Sequence, residues 1–141
     1  MKKQRGFTLI ELLVVIAIIG LLSTLAVVAL NNARQKARDS KRVADIKQIQ
    51  TALELYYNDA NEYPTSVTTG NEISYAGTVY MAVVPSNPSP NNDGPCPAST
   101  GYVYTQEGTG TSYSIGYCLG AATGGLTIGT HQATPQGMAY P

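Results

Sequence analysis

The chain has 141 residues, 43% of them hydrophobic, and a formal net charge of zero, a size that suits one small domain plus an anchor rather than two full domains. The zero balance hides a polarity: all nine Lys and Arg residues lie at or before Lys47, while Glu54, Asp59, Glu62, Glu72, Asp93 and Glu107 follow it. A C-terminal part without a cation argues against a nucleic-acid surface there, because phosphate binding needs clustered Lys or Arg.

Residues 1–6 are short and basic, with Lys2, Lys3 and Arg5, and they lead into FTLIELLVVIAIIGLLSTLAVVAL. From Leu12 to Leu30 nineteen consecutive residues carry no charge, enough to cross a bilayer core as a helix rising 1.5 Å per residue. The basic N-terminal flank favours a cytoplasmic N-terminus, but Arg34, Lys36, Arg38, Lys41 and Arg42 flank the other side, so charge alone leaves the orientation open. A cleavable signal peptide would place a small-residue site near Val27–Ala29. The apolar run is longer than the usual core of such a peptide, however, and Glu11 interrupts its start. A plain signal anchor leaves Glu11 and the residues around Gly6 unexplained. Gly20, with Ser23 and Thr24 close by, is a weak point in the helix or a place of close helix packing.

Glu11 is the informative residue, because a carboxylate inside an apolar segment is costly and by default functional. A cut after Gly6 would give Phe7 a new α-amino group, four residues before Glu11. That amine, on the same chain or a neighbouring one, could compensate the carboxylate when helices pack. A buried charge set against the wrong neighbour is strongly destabilising, so Glu11 could pin the packing register.

The segment RGFTLIELLVVIAIIGLL resembles the leader and helix start of type IV prepilins and type II secretion pseudopilins. The resemblance implies cleavage after Gly6 by a prepilin peptidase, methylation of Phe7 by the same enzyme, and a role for Glu11 in subunit recruitment and assembly. It implies a pilin-like α+β fold: a long N-terminal helix, its apolar half in the membrane, its amphipathic half packed on a small antiparallel sheet. The implied division is a leader at 1–6, a transmembrane and filament-core half at 7–30, and a head at 31–141 with helix 31–60 and sheet region 71–132. Many members carry a proline in the second half of the apolar segment; here the first proline is Pro64.

From Asn31 to about Asn58 the sequence keeps helical periodicity. Ala33, Ala37, Val43, Ala44, Ile46, Ile49, Leu53 and Tyr56 or Tyr57 form one apolar stripe. Arg34, Arg38, Asp39, Lys41, Arg42, Asp45, Lys47 and Gln48 read as the opposite, solvated face, with internal ion pairs such as Lys41–Asp45. One helix from Phe7 to Ala60 would be about 80 Å long. It should stop near Asn61, ahead of Pro64, and ALELYYNDANEYPT also resembles the helix end of major pseudopilins.

Beyond it, β-prone segments are predicted at Ile73–Tyr75, Thr78–Val84, Tyr102–Gln106, Thr111–Leu119 and Leu126–His131, with EGTG joining the third and fourth as a hairpin. PSNPSPNNDGPCP, with its five prolines, is read as a displayed loop over 85–97. Cys96 and Cys118 pair if the head is exported, closing a loop of about twenty residues that contributes roughly 3 kcal/mol; in a reducing compartment they would be free thiols. Most tyrosines read as packing residues, and Tyr140 as exposed.

Major pseudopilins carry acidic residues near their end that hold calcium, whereas this chain has none after Glu107. Asn91, Asn92 and Asp93 do not complete an EF-hand pattern and read as a turn. No cofactor is therefore expected. His131 stands in a Gly/Thr-rich segment without a nucleophile signature, which points away from an enzyme. The reading is a structural subunit of a type IV pilus-like filament, with a major pseudopilin of a type II secretion system as the alternative and a surface-binding minor pilin as the alternative of another class. The expected partners are sister copies, a prepilin peptidase, an inner-membrane assembly platform and lipid, with no nucleic acid. The expected location is the membrane, as a single-pass protein with an extracytoplasmic head, and later a filament in the periplasm or on the cell surface.

Overall fold

The computed structural model describes residues 6–97 and 101–139. The leader cations Lys2, Lys3 and Arg5, and Tyr140, lie outside the described residues. A 52-residue helix, α1 (Leu9–Ala60), is followed by β1 (Ile73–Tyr75), β2 (Thr78–Met81), β3 (Val103–Glu107), a 3-10 turn (Gly108–Gly110), β4 (Ser112–Leu119), β5 (Gly129–Thr134) and β6 (Gly137–Ala139). The chain divides into two compact units, Met1–Arg34 and Gln35–Pro141.

In the first unit the large apolar side chains from Leu9 to Leu30 are exposed around the helix, Val15 least at 44% and Leu9 most at 76%. The helix is long and apolar enough to cross a membrane by length and composition. Such a surface is unsuited to water and stable only in lipid or against other apolar helices.

The second unit is built on the rest of α1 and a four-stranded antiparallel sheet in the order β3-β4-β5-β6. Tyr113, Ile115, Tyr117 and Leu119 alternate along β4 and are all buried, as the period of two in a half-buried strand requires. Ile115 pairs with Ala133 and Tyr117 with His131 on β5. These residues form one core with Ile46, Ile49, Ala52 and Leu53 of α1. Each fully buried aliphatic side chain there contributes about 1.5–3 kcal/mol. The helix stops at Asn61, which takes a left-handed conformation (φ 57°) and donates its N–H to the Tyr57 carbonyl at 2.8 Å, as a helix C-terminus favours.

Several strand limits differ from the sequence reading. The second strand ends at Met81 rather than Val84, because Asn71 and Gly70 draw the Val84 backbone into a loop: Val84 N–H donates to Asn71 O at 2.8 Å and Gly70 N–H to Val84 O at 2.9 Å. The last predicted strand is displaced to Gly129–Thr134, since Gly124 and Gly125 both adopt positive φ and Thr123 and Leu126 bridge across them. A further strand, β6, follows a two-residue connection, with Thr134 paired to Gly137.

The largest correction concerns the helix face. Ala33, Ala37 and Ala44 are exposed, whereas Asp39, Arg42 and Asp45 are buried. The apolar stripe holds from Ile46 onward, but toward the N-terminal end of this unit its place against the head is taken by charge. Charges can be buried there because each is met: Arg42 by Asp39 and the proline-rich loop, Asp39 also by the backbone after β4, and Asp45 by Lys41 and Tyr102.

Candidate processing and assembly site

At the start of α1, Thr8 and Glu11 hold each other. Thr8 N–H and Oγ1 donate to Glu11 Oε2 at 2.8 and 2.7 Å, and Glu11 N–H donates to Thr8 Oγ1 at 3.3 Å. This is a capping box, the reciprocal satisfaction of two backbone donors that a helix start otherwise leaves open. The signal was present in the sequence as T-x-x-E before an apolar run. While residues 1–6 are attached, the Phe7 nitrogen is an amide, and Thr8 takes the place of the amine anticipated for Glu11. Gly6 and Phe7 precede the helix and are exposed, so the Gly6–Phe7 bond stands at an open helix entrance. Further along, Ser23 and Thr24 turn their hydroxyls back onto Ile19 O and Leu21 O at 2.7 and 2.8 Å, which hides those polar groups from an apolar surrounding.

In the second unit the proline-rich loop is fastened to α1. Arg42 is wholly buried and donates to Asp39 Oδ1 (2.6 Å), Asn87 Oδ1 (2.7 Å) and Pro90 O (3.1 Å). It also lies 3.0 Å from Asp93 Oδ2. Arg38 meets the same aspartate through two hydrogen bonds of 2.7 and 2.6 Å, a bidentate geometry that guanidinium favours. These bonds from Arg38, followed by those from Arg42, hold the Asp93 carboxyl below its usual range despite burial. Asp39 in turn accepts the backbone N–H of Gly120 (3.1 Å) and of Ala121 (2.8 Å), just after β4.

The two cysteines close this arrangement. Cys96 and Cys118 form a disulfide with Cα atoms 5.7 Å apart, as anticipated. Cys96 N–H donates to Asp93 O at 3.0 Å. Gly94 and Gly120 let the two segments touch: a Cβ on Gly120 would lie 2.5 Å from Asp93 Cβ, and one on Gly94 2.6 Å from Gly120 O. The loop over 85–97 is therefore part of the packed head, and the NDG turn is the anchor of an ion-pair cluster. Asp93 is committed to two arginines, and among the described residues no three His, Cys, Asp or Glu side chains gather as metal ligands. His131 is a buried strand residue stacked on Tyr117 at 5.5 Å, with Nε2 2.8 Å from Thr127 O.

Residues 1–27 match the family model described as the prokaryotic N-terminal methylation motif. The chain is 48% identical over 64 residues to the type II secretion system core protein G of Escherichia coli, covering 45% of this chain and 44% of that one. It is 37% identical over 92 residues to the protein of the same name from Vibrio cholerae, covering 65% and 58%. A fimbrial protein of Pseudomonas aeruginosa is 35% identical over 68 residues, covering 48% and 44%. The chain thus spans about half the length of the curated relatives it matches. No solved structure matches. The methylation motif at the N-terminus and the similarity that continues along the helix are those of type IV pilins and pseudopilins, and they support that family for this chain.

Proposed function

We propose that this chain is a structural, non-catalytic filament subunit. It is made as a single-pass membrane precursor, cut after Gly6, methylated on Phe7 and polymerised through the helix of residues 7–30. The observation that carries this reading is the apolar surface from Leu9 to Leu30, exposed on every side of a helix. Lipid covers it first, and the same surface of sister copies covers it in the filament. Glu11 is the one ionisable group within that surface. Once cleavage frees the Phe7 amine, Glu11 gains a charge partner that it lacks in the precursor. The implied partners are a prepilin-type peptidase, a membrane assembly platform, lipid and further copies, with the head outside the cytoplasm. No cofactor enters this reading.

The similarity to two core proteins G, one of them over 92 residues, favours a pseudopilus of a type II secretion system over a surface pilus. Mass spectrometry of the mature chain together with electron microscopy of sheared cells and envelopes tests the proposal. A chain that begins at methylated Phe7 and is recovered in filaments supports it. A chain that begins at Met1 or near Leu30, or that is never filamentous, refutes it.

A further inference from the structure

The ion pairs of the second unit leave a residue of charge that is sharply sorted. Arg38, Lys41 and Arg42 are consumed by Asp39, Asp45 and Asp93. Lys36 and Lys47 have no anionic partner among the described residues, and both are exposed. Asp59, Glu62, Glu72 and Glu107 are likewise exposed and have no cationic partner among the described residues. Among the described residues Asp59 accepts the Tyr80 hydroxyl and Glu72 that of Ser74. Three of these acids, Asp59, Glu62 and Glu107, share one end of the head. Asp59 lies in the last turn of α1, Glu62 lies beside Gly110, and Glu107 ends the strand that leads into that turn.

The same end carries a second negative feature. The last turn of α1 contains no basic side chain, so the partial negative charge of its open carbonyls is not offset within the chain. No Lys or Arg occurs between Lys47 and Pro141, so none of these residues supplies one. The spare cations are too far back along the same helix. At 1.5 Å per residue, Lys47 is about 18 Å and Lys36 about 35 Å from Asp59, against a screening length of about 8 Å at physiological salt.

We infer that the acidic end of the head, formed by Asp59, Glu62 and Glu107, docks against the Lys36–Lys47 face of a second copy. The inference rests on the filament reading and gives it a register. Parallel copies displaced along the helix axis by between about 18 and 35 Å set the two charge sets opposite each other. Copies side by side without displacement set like charge against like. The charge pattern thus favours one stagger and opposes the level arrangement.

The test uses the full chain in cells that assemble it. A zero-length carbodiimide, which joins lysine amines to carboxylates in contact, is applied to isolated filaments and to detergent-solubilised monomers. The expected result is a set of crosslinks from Lys36 or Lys47 to Asp59, Glu62 or Glu107 in filaments and none in monomers. Lys47→Glu and Glu62→Lys should each lower filament yield by roughly fivefold, and the double exchange should recover it to within about twofold, because opposite charges again face each other. A non-reducing gel that retains the Cys96–Cys118 bridge verifies that the variant heads have folded. Filaments that lack every such crosslink, or single variants that assemble at wild-type yield, overturn the docking and leave the filament reading standing. Wild-type chain that forms no filament at all removes the filament reading, and the docking with it.

Discussion

Asp39 and Arg42 sit one turn apart on α1, both fully buried, with Arg42 Nη1 2.6 Å from Asp39 Oδ1. The pair is tied to two distant parts of the chain: Arg42 to Asp93, and Asp39 to the backbone after β4. Removing one member of such a group leaves an uncompensated charge inside the protein. Arg42→Met is expected to lower the stability of the head by about 3–5 kcal/mol, measured as a fall in the urea midpoint of the chain in detergent micelles. Lys41→Ala is the contrast. Lys41 is 53% exposed where it meets Asp45, so its loss should cost about 1 kcal/mol or less.

The cluster was the part of the site that the sequence concealed. Asp39, Arg42 and Asp45 at steps of three resemble a solvated helix face, and the distant groups that meet Arg42 and Asp39 lie in the loop over 85–97 and just after β4, neither of which gives a periodic signal. The helix itself was legible because its cues are local: an unbroken apolar run, then a stripe at Ile46, Ile49 and Leu53, then Asn61 before Pro64. The β3–β4 hairpin was legible from its alternation and its Gly-rich turn. β6 was not, since three residues in a Gly- and Pro-rich tail give no alternation to read. Gly6, Phe7 and Glu11 were singled out as processing and assembly candidates, whereas the Thr8 cap that holds Glu11 at the helix start was missed although its spacing was visible.

The cap that Glu11 forms with Thr8 and the assembly role proposed for its charge can be separated. As a cap Glu11 needs only an acceptor, which glutamine supplies; as an assembly residue it needs charge. Glu11→Gln should leave the precursor inserted and its helix start intact, yet sharply reduce pelletable filament. Thr8→Ala keeps the charge and removes the cap, with an expected cost of about 1 kcal/mol to the helix start and a milder loss of filament. The check is the ratio of sedimentable to membrane-extracted chain for each variant. Equal yields from Glu11→Gln and wild type would confine Glu11 to capping.

The disulfide spans 22 positions and joins the two segments that bind the ionic cluster. Cys96→Ser with Cys118→Ser is expected to lower stability by about 3 kcal/mol through the freed unfolded chain. The loop over 85–97 should become the first site of proteolysis, because Asp93 and Cys96 leave the helix together. Limited proteolysis with peptide mapping, run with and without reductant on the wild type, reads this directly. A Gly120→Ala substitution should mimic part of the effect with the bridge intact, since its Cβ would fall 2.5 Å from that of Asp93.

Alkaline pH should attack the head through its tyrosines. Burial, reinforced by the hydrogen bond to Glu54, pushes Tyr63 up to about 12, and burial alone pushes Tyr117 up to about 12. Burial also raises Tyr102, Tyr104 and Tyr113. For each, the folded state prefers the neutral phenol. The stability it contributes is complete below the ordinary tyrosine value of about 10 and is lost as pH rises through the folded value. Ultraviolet titration should show tyrosinate appearing in one cooperative step between about pH 10 and 12, together with loss of near-ultraviolet circular dichroism. The two substitutions should diverge. Tyr63→Phe gives up a hydrogen bond of 3.0 Å to Glu54 and should destabilise at neutral pH. Tyr117→Phe removes a buried hydroxyl without a hydrogen-bond partner among the described residues, so it should be neutral or stabilising and move the alkaline step upward.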